Sequence, residues 1–255
     1  METEYPVKKE YFETVNGRGQ TIRGVLFRPD EEGGKYPTVI FSHGFGACYE
    51  MFLHHAQWFP ESGIAIVFFD FCGGGVNSAS DGTMQEMTVL TEADDLDAVI
   101  DKVKTMPFVD TDNLFLQGES QGGFVSTIIG VRRRNEIKGL ALWYPAYVIP
   151  DDSRKRLEEG IKDVFGMELS PQYDTDAISI DVEKLQKNYT GPVIIIHGDA
   201  DPVVPIDYSR RAVKNFPDAE LIEIKDAQHG FNETDGMNAR NSSIEFILRN
   251  VTELK

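Results

Sequence analysis

Six short apolar runs, separated by longer amphipathic stretches, constrain this chain more than any other feature. Thr38–Ser42, Ile64–Phe69, Asn113–Gln117, Gly139–Trp143, Val193–Ile196 and Glu220–Ile224 read as strands, several of them apolar on consecutive residues. Consecutive apolar positions suit strands covered on both faces, as in a parallel sheet between two helix layers. Between the second and third runs, Leu90, Ala93, Leu96, Val99, Ile100 and Val103 form one stripe of a helix over 91–106, which Pro107 stops. Helical patterns also cover 124–131, 208–216 and 238–251. Strand–helix–strand repetition demands right-handed crossovers, so the fold class is α/β with a mostly parallel central sheet. Ahead of it, Val7–Val15 and Thr21–Phe27 flank Asn16-Gly17 and Gly19, which predicts an N-terminal antiparallel hairpin.

One interval breaks the rhythm. Residues 145–190 contain no buried-strand run and are too long for a plain connection. Leu157, Ile161, Val164 and Phe165 recur at helical spacing, and Ile178, Val182 and Leu185 predict a second short helix. The expectation is an inserted cap, or lid, over 145–190, carried by a core made of 1–144 and 191–255. The chemistry of the core is expected not to depend on it.

Charge and cysteine usage remove whole classes of function. With 42 acidic and 25 basic side chains among 255 residues the formal charge is −17, which repels phosphate and argues against nucleic acid. The basic run Arg132-Arg133-Arg134 reads as a helix C-terminus complementing the dipole. Only Cys48 and Cys72 are present, so neither a disulfide framework nor a thiolate metal cluster is expected. Met1–Pro6 has no basic or apolar leader character, and Ile64–Phe69 falls far short of the roughly 20 apolar residues that span a bilayer. These features lead us to expect a cytoplasmic protein with no membrane partner.

The sharpest chemical signal is Gly118-Glu119-Ser120-Gln121-Gly122-Gly123, which follows one predicted strand and precedes a predicted helix. Gly-x-Ser-x-Gly in that context is a nucleophile elbow, a strained turn that projects the serine hydroxyl between small neighbours. The plain alternative is a tight turn with an idle serine. A serine hydroxyl needs a base, and histidine serves near neutral pH. Of five candidates, His43 and His197 sit at strand ends in His-Gly pairs, where buried hydrogen-bonding roles fit better. His54 and His55 precede the serine. His229 stands in a polar loop after the last strand, which suits the order serine, acid, histidine.

The acid must then follow a strand between Ser120 and His229. His197-Gly198-Asp199-Ala200-Asp201-Pro202-Val203-Val204-Pro205 offers Asp199 and Asp201. Asp201 is favoured because it lies deeper, just before the Pro-Val-Val-Pro segment that holds the backbone. Asp199 reads as a turn residue bonding loop amides. Acyl transfer also needs two backbone N–H donors for the developing oxyanion. Gln121, after the nucleophile, supplies one, and Phe45 in the glycine-rich loop Ser42-His43-Gly44-Phe45-Gly46-Ala47 is the expected second.

Taken together, His43-Gly-Phe-Gly, Asp70-x-x-Gly73-x-Gly75, the Ser120 elbow, the Asp201 loop and His229-Gly-Phe resemble the landmarks of the serine α/β-hydrolase family, in order, from about Tyr11 onward. Gly-x-Ser-Gln-Gly-Gly with a medium insert before the acid loop is most similar to bacterial cinnamoyl or feruloyl esterases, although monoacylglycerol lipases and general carboxylesterases share these motifs. Cys72 and Asn77 depart from that pattern at positions near the site rim. The resemblance implies an α/β-hydrolase fold whose small cap lies over an acyl pocket, with Trp143, Tyr144 and Tyr147 as candidate substrate-binding residues. It implies a carboxylic ester hydrolase acting through an acyl-enzyme on hydroxycinnamoyl or other aromatic or short-chain acyl esters. Neither metal nor organic cofactor is expected. The expected partner is a small-molecule ester, and a homodimer is left open. The rivals are a lipase-like hydrolase or peptidase on the same scaffold, and a ligand-binding homologue without turnover.

Overall fold

β1 (Val7–Val15) and β2 (Thr21–Pro29) pair antiparallel as the hairpin expected from Asn16-Gly17. They begin the structured part of a computed structural model that describes residues 6–31 and 33–252. The stretch read for a leader lies, apart from Pro6, outside the described residues. β2 pairs antiparallel with β4 (Ala65–Phe69), and from there the sheet is parallel through β3 (Tyr36–Ser42), β5 (Val109–Glu119), β6 (Ile137–Trp143), β9 (Val193–Gly198) and β10 (Ala219–Ile224). Each of the six apolar runs is therefore a strand of one eight-stranded sheet.

Alternation along the strands sends side chains into two layers. On β3, Ile40 packs with Leu96, Ile100 and Phe124 on one face, while Val39 and Phe41 pack with Phe59, Phe246 and Ile247 on the other. The first layer contains α2 (Val89–Lys104) and α3 (Ser120–Arg132). The second contains α1 (Trp58–Glu61), reached through a 3-10 turn at Tyr49–His55, and α8 (Glu233–Asn250). Thr88 caps α2 reciprocally. Its hydroxyl accepts from the Leu90 and Thr91 amides, and the Thr91 hydroxyl accepts from the Thr88 amide. α7 (Asp207–Asn215) covers the β9–β10 edge. No helix of the described residues is long and apolar enough to cross a membrane.

The insert differs in detail from its sequence pattern. The helix expected at Leu157–Phe165 is instead α4 (Ile149–Glu159), started by Pro150 in its first turn and ended by Gly160 in the left-handed conformation. Leu157, Ile161 and Phe165 are exposed, so the spacing that joined them ran across a helix stop. A two-residue-stranded hairpin follows, β7 (Asp163–Val164) and β8 (Met167–Glu168), and then α5 (Pro171–Ile178) and α6 (Val182–Lys187). Leu169, Tyr173, Ala177 and Tyr189 are buried in the same cluster as α2, α3 and the sheet. The Tyr189 hydroxyl donates to the Ile137 carbonyl at 3.1 Å.

Candidate active site

Ser120 lies at the C-terminal end of β5, where the strand turns directly into α3, with β3 and β6 on either side. Its φ is +49°, a left-handed conformation that a non-glycine residue keeps only when its surroundings force it. Close packing explains the following glycine: a Cβ at Gly122 would stand 2.2 Å from the Ser42 carbonyl oxygen and 2.4 Å from that of His43. Thus the elbow can press against the end of β3 only without a side chain there.

The three residues expected to act together do meet. The Ser120 hydroxyl lies 3.0 Å from His229 Nε2, and His229 Nδ1 lies 2.7 Å from Asp201 Oδ2. An ionised carboxylate only accepts, so Nδ1 carries the proton and Nε2 is left to accept from serine. The Asp201 Oδ1 atom accepts from the Val203 and Val204 amides at 2.8 and 2.9 Å, so the Pro-Val-Val-Pro segment holds the carboxylate. Burial pushes this carboxyl up, but hydrogen bonds from His197, His229 and Val204 outweigh it and hold Asp201 well below the ordinary carboxylate range. Asp199 instead accepts from the Asp226 amide at 2.6 Å and makes no hydrogen bond with His229.

His43 and His197 are buried structural groups. His197 Nδ1 meets the Ser209 hydroxyl at 2.7 Å, and its Nε2 faces the Val204 carbonyl at 2.9 Å. His43 Nε2 accepts from the Phe71 amide at 3.1 Å, which places the proton on Nδ1, 2.8 Å from the Gly44 carbonyl. Phe45 follows in the same loop. Among the described residues neither its N–H nor that of Gln121 donates to another protein group, and the Gln121 N–H lies in the first turn of α3, where no helical carbonyl is available.

Two buried carboxyls that the motif reading passed over support this geometry. Glu119 Oε1 accepts from the Gly44 amide at 3.0 Å, and Oε2 accepts from the Tyr144 hydroxyl at 2.6 Å. The Tyr144 ring in turn lies 4.6 Å from the His229 ring. One side chain therefore braces both the Phe45 loop and the face of the imidazole, and burial raises its pKa. Glu92 reaches from α2 to accept from Gln121 Nε2 at 2.8 Å, while Gln121 Oε1 accepts from the Tyr173 hydroxyl at 2.6 Å. Tyr173 belongs to the insert, and its ring also stands 6.2 Å from that of Phe45. The insert, expected to leave the core chemistry independent, thus touches the residue that follows the nucleophile.

Ser120 and His229 open onto a cavity of about 660 Å³ walled by Phe45, Trp143, Tyr144, Phe165 and Phe231. Phe165 is at the tip of the β7–β8 hairpin, where φ is +51° at Phe165 and +79° at Gly166, the positive pair of a tight two-residue turn. Its ring is 6.3 Å from Phe45. Tyr147 is elsewhere: buried beside α3, it pairs with the Thr127 hydroxyl at 2.8 Å and does not line this cavity. Tyr144, three residues earlier, does, because it directly follows the end of β6 at Trp143, before the chain turns toward α4.

An elbow serine at the end of a central parallel strand, hydrogen-bonded to a loop histidine, defines a serine α/β hydrolase. Residues 35–172 match the family described as serine aminopeptidase, S33, and the chain belongs to this family. Its fold is similar to that of Est1E from Butyrivibrio proteoclasticus with ferulic acid bound, at 25% identity and a TM-score of 0.82, over 94% of this chain and 99% of that one. The chain is also 27% identical to the uncharacterized protein YfhR of Escherichia coli strain K12 over 252 residues, 95% of this chain and 82% of YfhR. A monoacylglycerol lipase from Paleococcus ferrophilus shares the fold at 17% identity and a TM-score of 0.69, over 96% of this chain and all of that one.

Proposed function

We propose that this serine hydrolase is a carboxylic ester hydrolase in which Ser120, His229 and Asp201 form the catalytic triad. The observation that carries the reading is the continuous hydrogen-bond chain from Asp201 through His229 to Ser120, ending in an aromatic cavity. His229 Nε2 takes the Ser120 proton as Oγ attacks the ester carbonyl, and then returns it to the departing alcohol. Asp201, already ionised, fixes the tautomer and balances the imidazolium. The unpaired Phe45 and Gln121 amides receive the oxyanion. Water repeats the sequence on the acyl-enzyme and releases the acid, so only this chain's groups and water take part.

The substrate class follows from the walls. A cavity of about 660 Å³ is within the size range of small-molecule sites, and its aromatic side chains offer flat faces to a planar acyl group. The ferulic acid bound to Est1E supports a hydroxycinnamoyl-type ester. Trp143 and Tyr144 are the proposed contacts on the β6 side, opposite Phe165 from the insert. The test is a panel of methyl ferulate, p-nitrophenyl acetate, a monoacylglycerol and an aminoacyl p-nitroanilide, given to the wild type and to Ser120→Ala. The reading requires Ser120-dependent hydrolysis with methyl ferulate ahead of the monoacylglycerol and the anilide. Turnover of the anilide alone would replace it with a peptidase, and no turnover of any would leave a binding protein.

A further inference from the structure

We propose that His55 anchors a leaving-group pocket by presenting an imidazole N–H to an oxygen acceptor on the alcohol part of the ester. The proposal rests on the ester-hydrolase reading and adds the chemistry of the alcohol. Because His229 must hand its proton to the departing oxygen, that alcohol has to lie on the His229 side of Ser120. The cavity wall on that side is made by Phe231 and Gly236, which follow His229, and by the turn that carries His54 and His55.

His55 is 7% exposed, yet none of its ring nitrogens has a hydrogen-bond partner among the described residues. Nδ1 is sealed from solvent. A buried polar atom without a partner is rare in a folded protein, and a bare lone pair is tolerated more often than an orphaned N–H. The proton therefore sits on Nε2. Burial, with His54 and Arg240 adding to it, lowers the imidazole pKa to about 3, so the ring is neutral and offers one donor. It is held edge-on to Trp143, with ring centroids 5.4 Å apart.

Gly236 leaves the donor accessible. A Cβ built there would sit 3.7 Å from His55 Nε2, in ordinary contact, so the first turn of α8 without a side chain keeps that atom uncovered. Phe52, Trp143 and Phe231 surround this donor with aromatic wall, and His54, Asn232 and Glu233 also line the cavity. Such a pocket selects an alcohol with an ether or hydroxyl oxygen a few bonds beyond the ester oxygen, as in polyols and sugars, over a plain alkyl alcohol.

Butyl acetate and 2-methoxyethyl acetate test this, because they differ by one methylene replaced by an ether oxygen. The readout is the ratio of their kcat/KM values, normalised to alkaline hydrolysis, in wild type, His55→Phe and His55→Gln. Wild type should favour the ether ester about tenfold, Phe should reduce the ratio to near unity, and Gln, which keeps a donor, should restore most of it. If His55→Phe does not fold by circular dichroism, His55→Leu replaces it in the same comparison. Equal ratios in wild type and the apolar variant, with a normal p-nitrophenyl acetate burst, overturn the His55 assignment alone. Absence of that burst in the wild type overturns the ester-hydrolase reading and the pocket with it.

Discussion

The Tyr173 hydroxyl donates to Gln121 Oε1 at 2.6 Å, joining the inserted segment to the residue that follows the nucleophile. Both groups are buried, and the other end of the Gln121 amide is held by Glu92. The orientation of the first turn of α3, and with it the Gln121 N–H, is thus shared between a core helix and the insert.

Removing residues 151–189 should therefore harm chemistry on small and large esters alike. We expect Tyr173→Phe, which leaves the buried amide oxygen unpaired, to lower kcat on p-nitrophenyl acetate by about tenfold with a small change in KM. The deletion should also lower the urea midpoint, since Tyr173 and Tyr189 leave the shared core. A folded deletion variant with unchanged p-nitrophenyl acetate turnover would show that the contact is idle.

Asp201 and Asp199 separate cleanly in the structure, and kinetics should separate them too. Asp201→Asn places an amide against His229 Nδ1 and favours the wrong tautomer, so kcat should drop on the order of 10³- to 10⁴-fold with folding retained. Asp199→Asn, at a side chain that accepts from the Asp226 amide, should cost less than about threefold in kcat. Steady-state rates of both variants on one ester decide this, and a reversed order would move the acid to Asp199.

Glu92 gives a prediction in pH. Burial raises its carboxyl pKa well above the ordinary value, so the folded state resists its ionisation. Below the unfolded value of about 4.3 the group is protonated in both states and carries no penalty. As pH rises past that point the unfolded chain ionises first, and the fold loses stability relative to a neutral side chain. Glu92→Gln should accordingly gain on the wild type between pH 4 and pH 7, as measured by urea unfolding at each pH. A difference that stays flat or shrinks as pH rises would mean that Glu92 is charged and satisfied in the fold.

The chain's own pattern makes the sheet and the Ser120, Asp201 and His229 loops legible for a physical reason. Strands buried on both faces, and a turn whose Gly122 touches the Ser42 carbonyl, leave local marks in the residues themselves. The insert leaves no such mark. Leu157, Ile161 and Phe165 have helical spacing, but Gly160 ends the helix between them and all three are exposed. Tyr147 and Tyr144 look equivalent in sequence. Only the turn after β6 sends one to Thr127 and the other to Glu119. The positions of Glu119 and Tyr173 are set by long-range hydrogen bonds, and that of His55 by packing against Trp143 and Gly236, which neither spacing nor composition encodes. The one available signal was a carboxylate inside the elbow motif, where small neutral residues would have sufficed.

The most direct test of the account is rapid-mixing kinetics on p-nitrophenyl acetate with intact-mass analysis of the quenched protein. The account predicts a burst of p-nitrophenol approaching one equivalent, with one acetyl group found on the peptide carrying Ser120, and neither in Ser120→Ala. Linear release without an acyl-protein, or a burst that survives in Ser120→Ala, would contradict it.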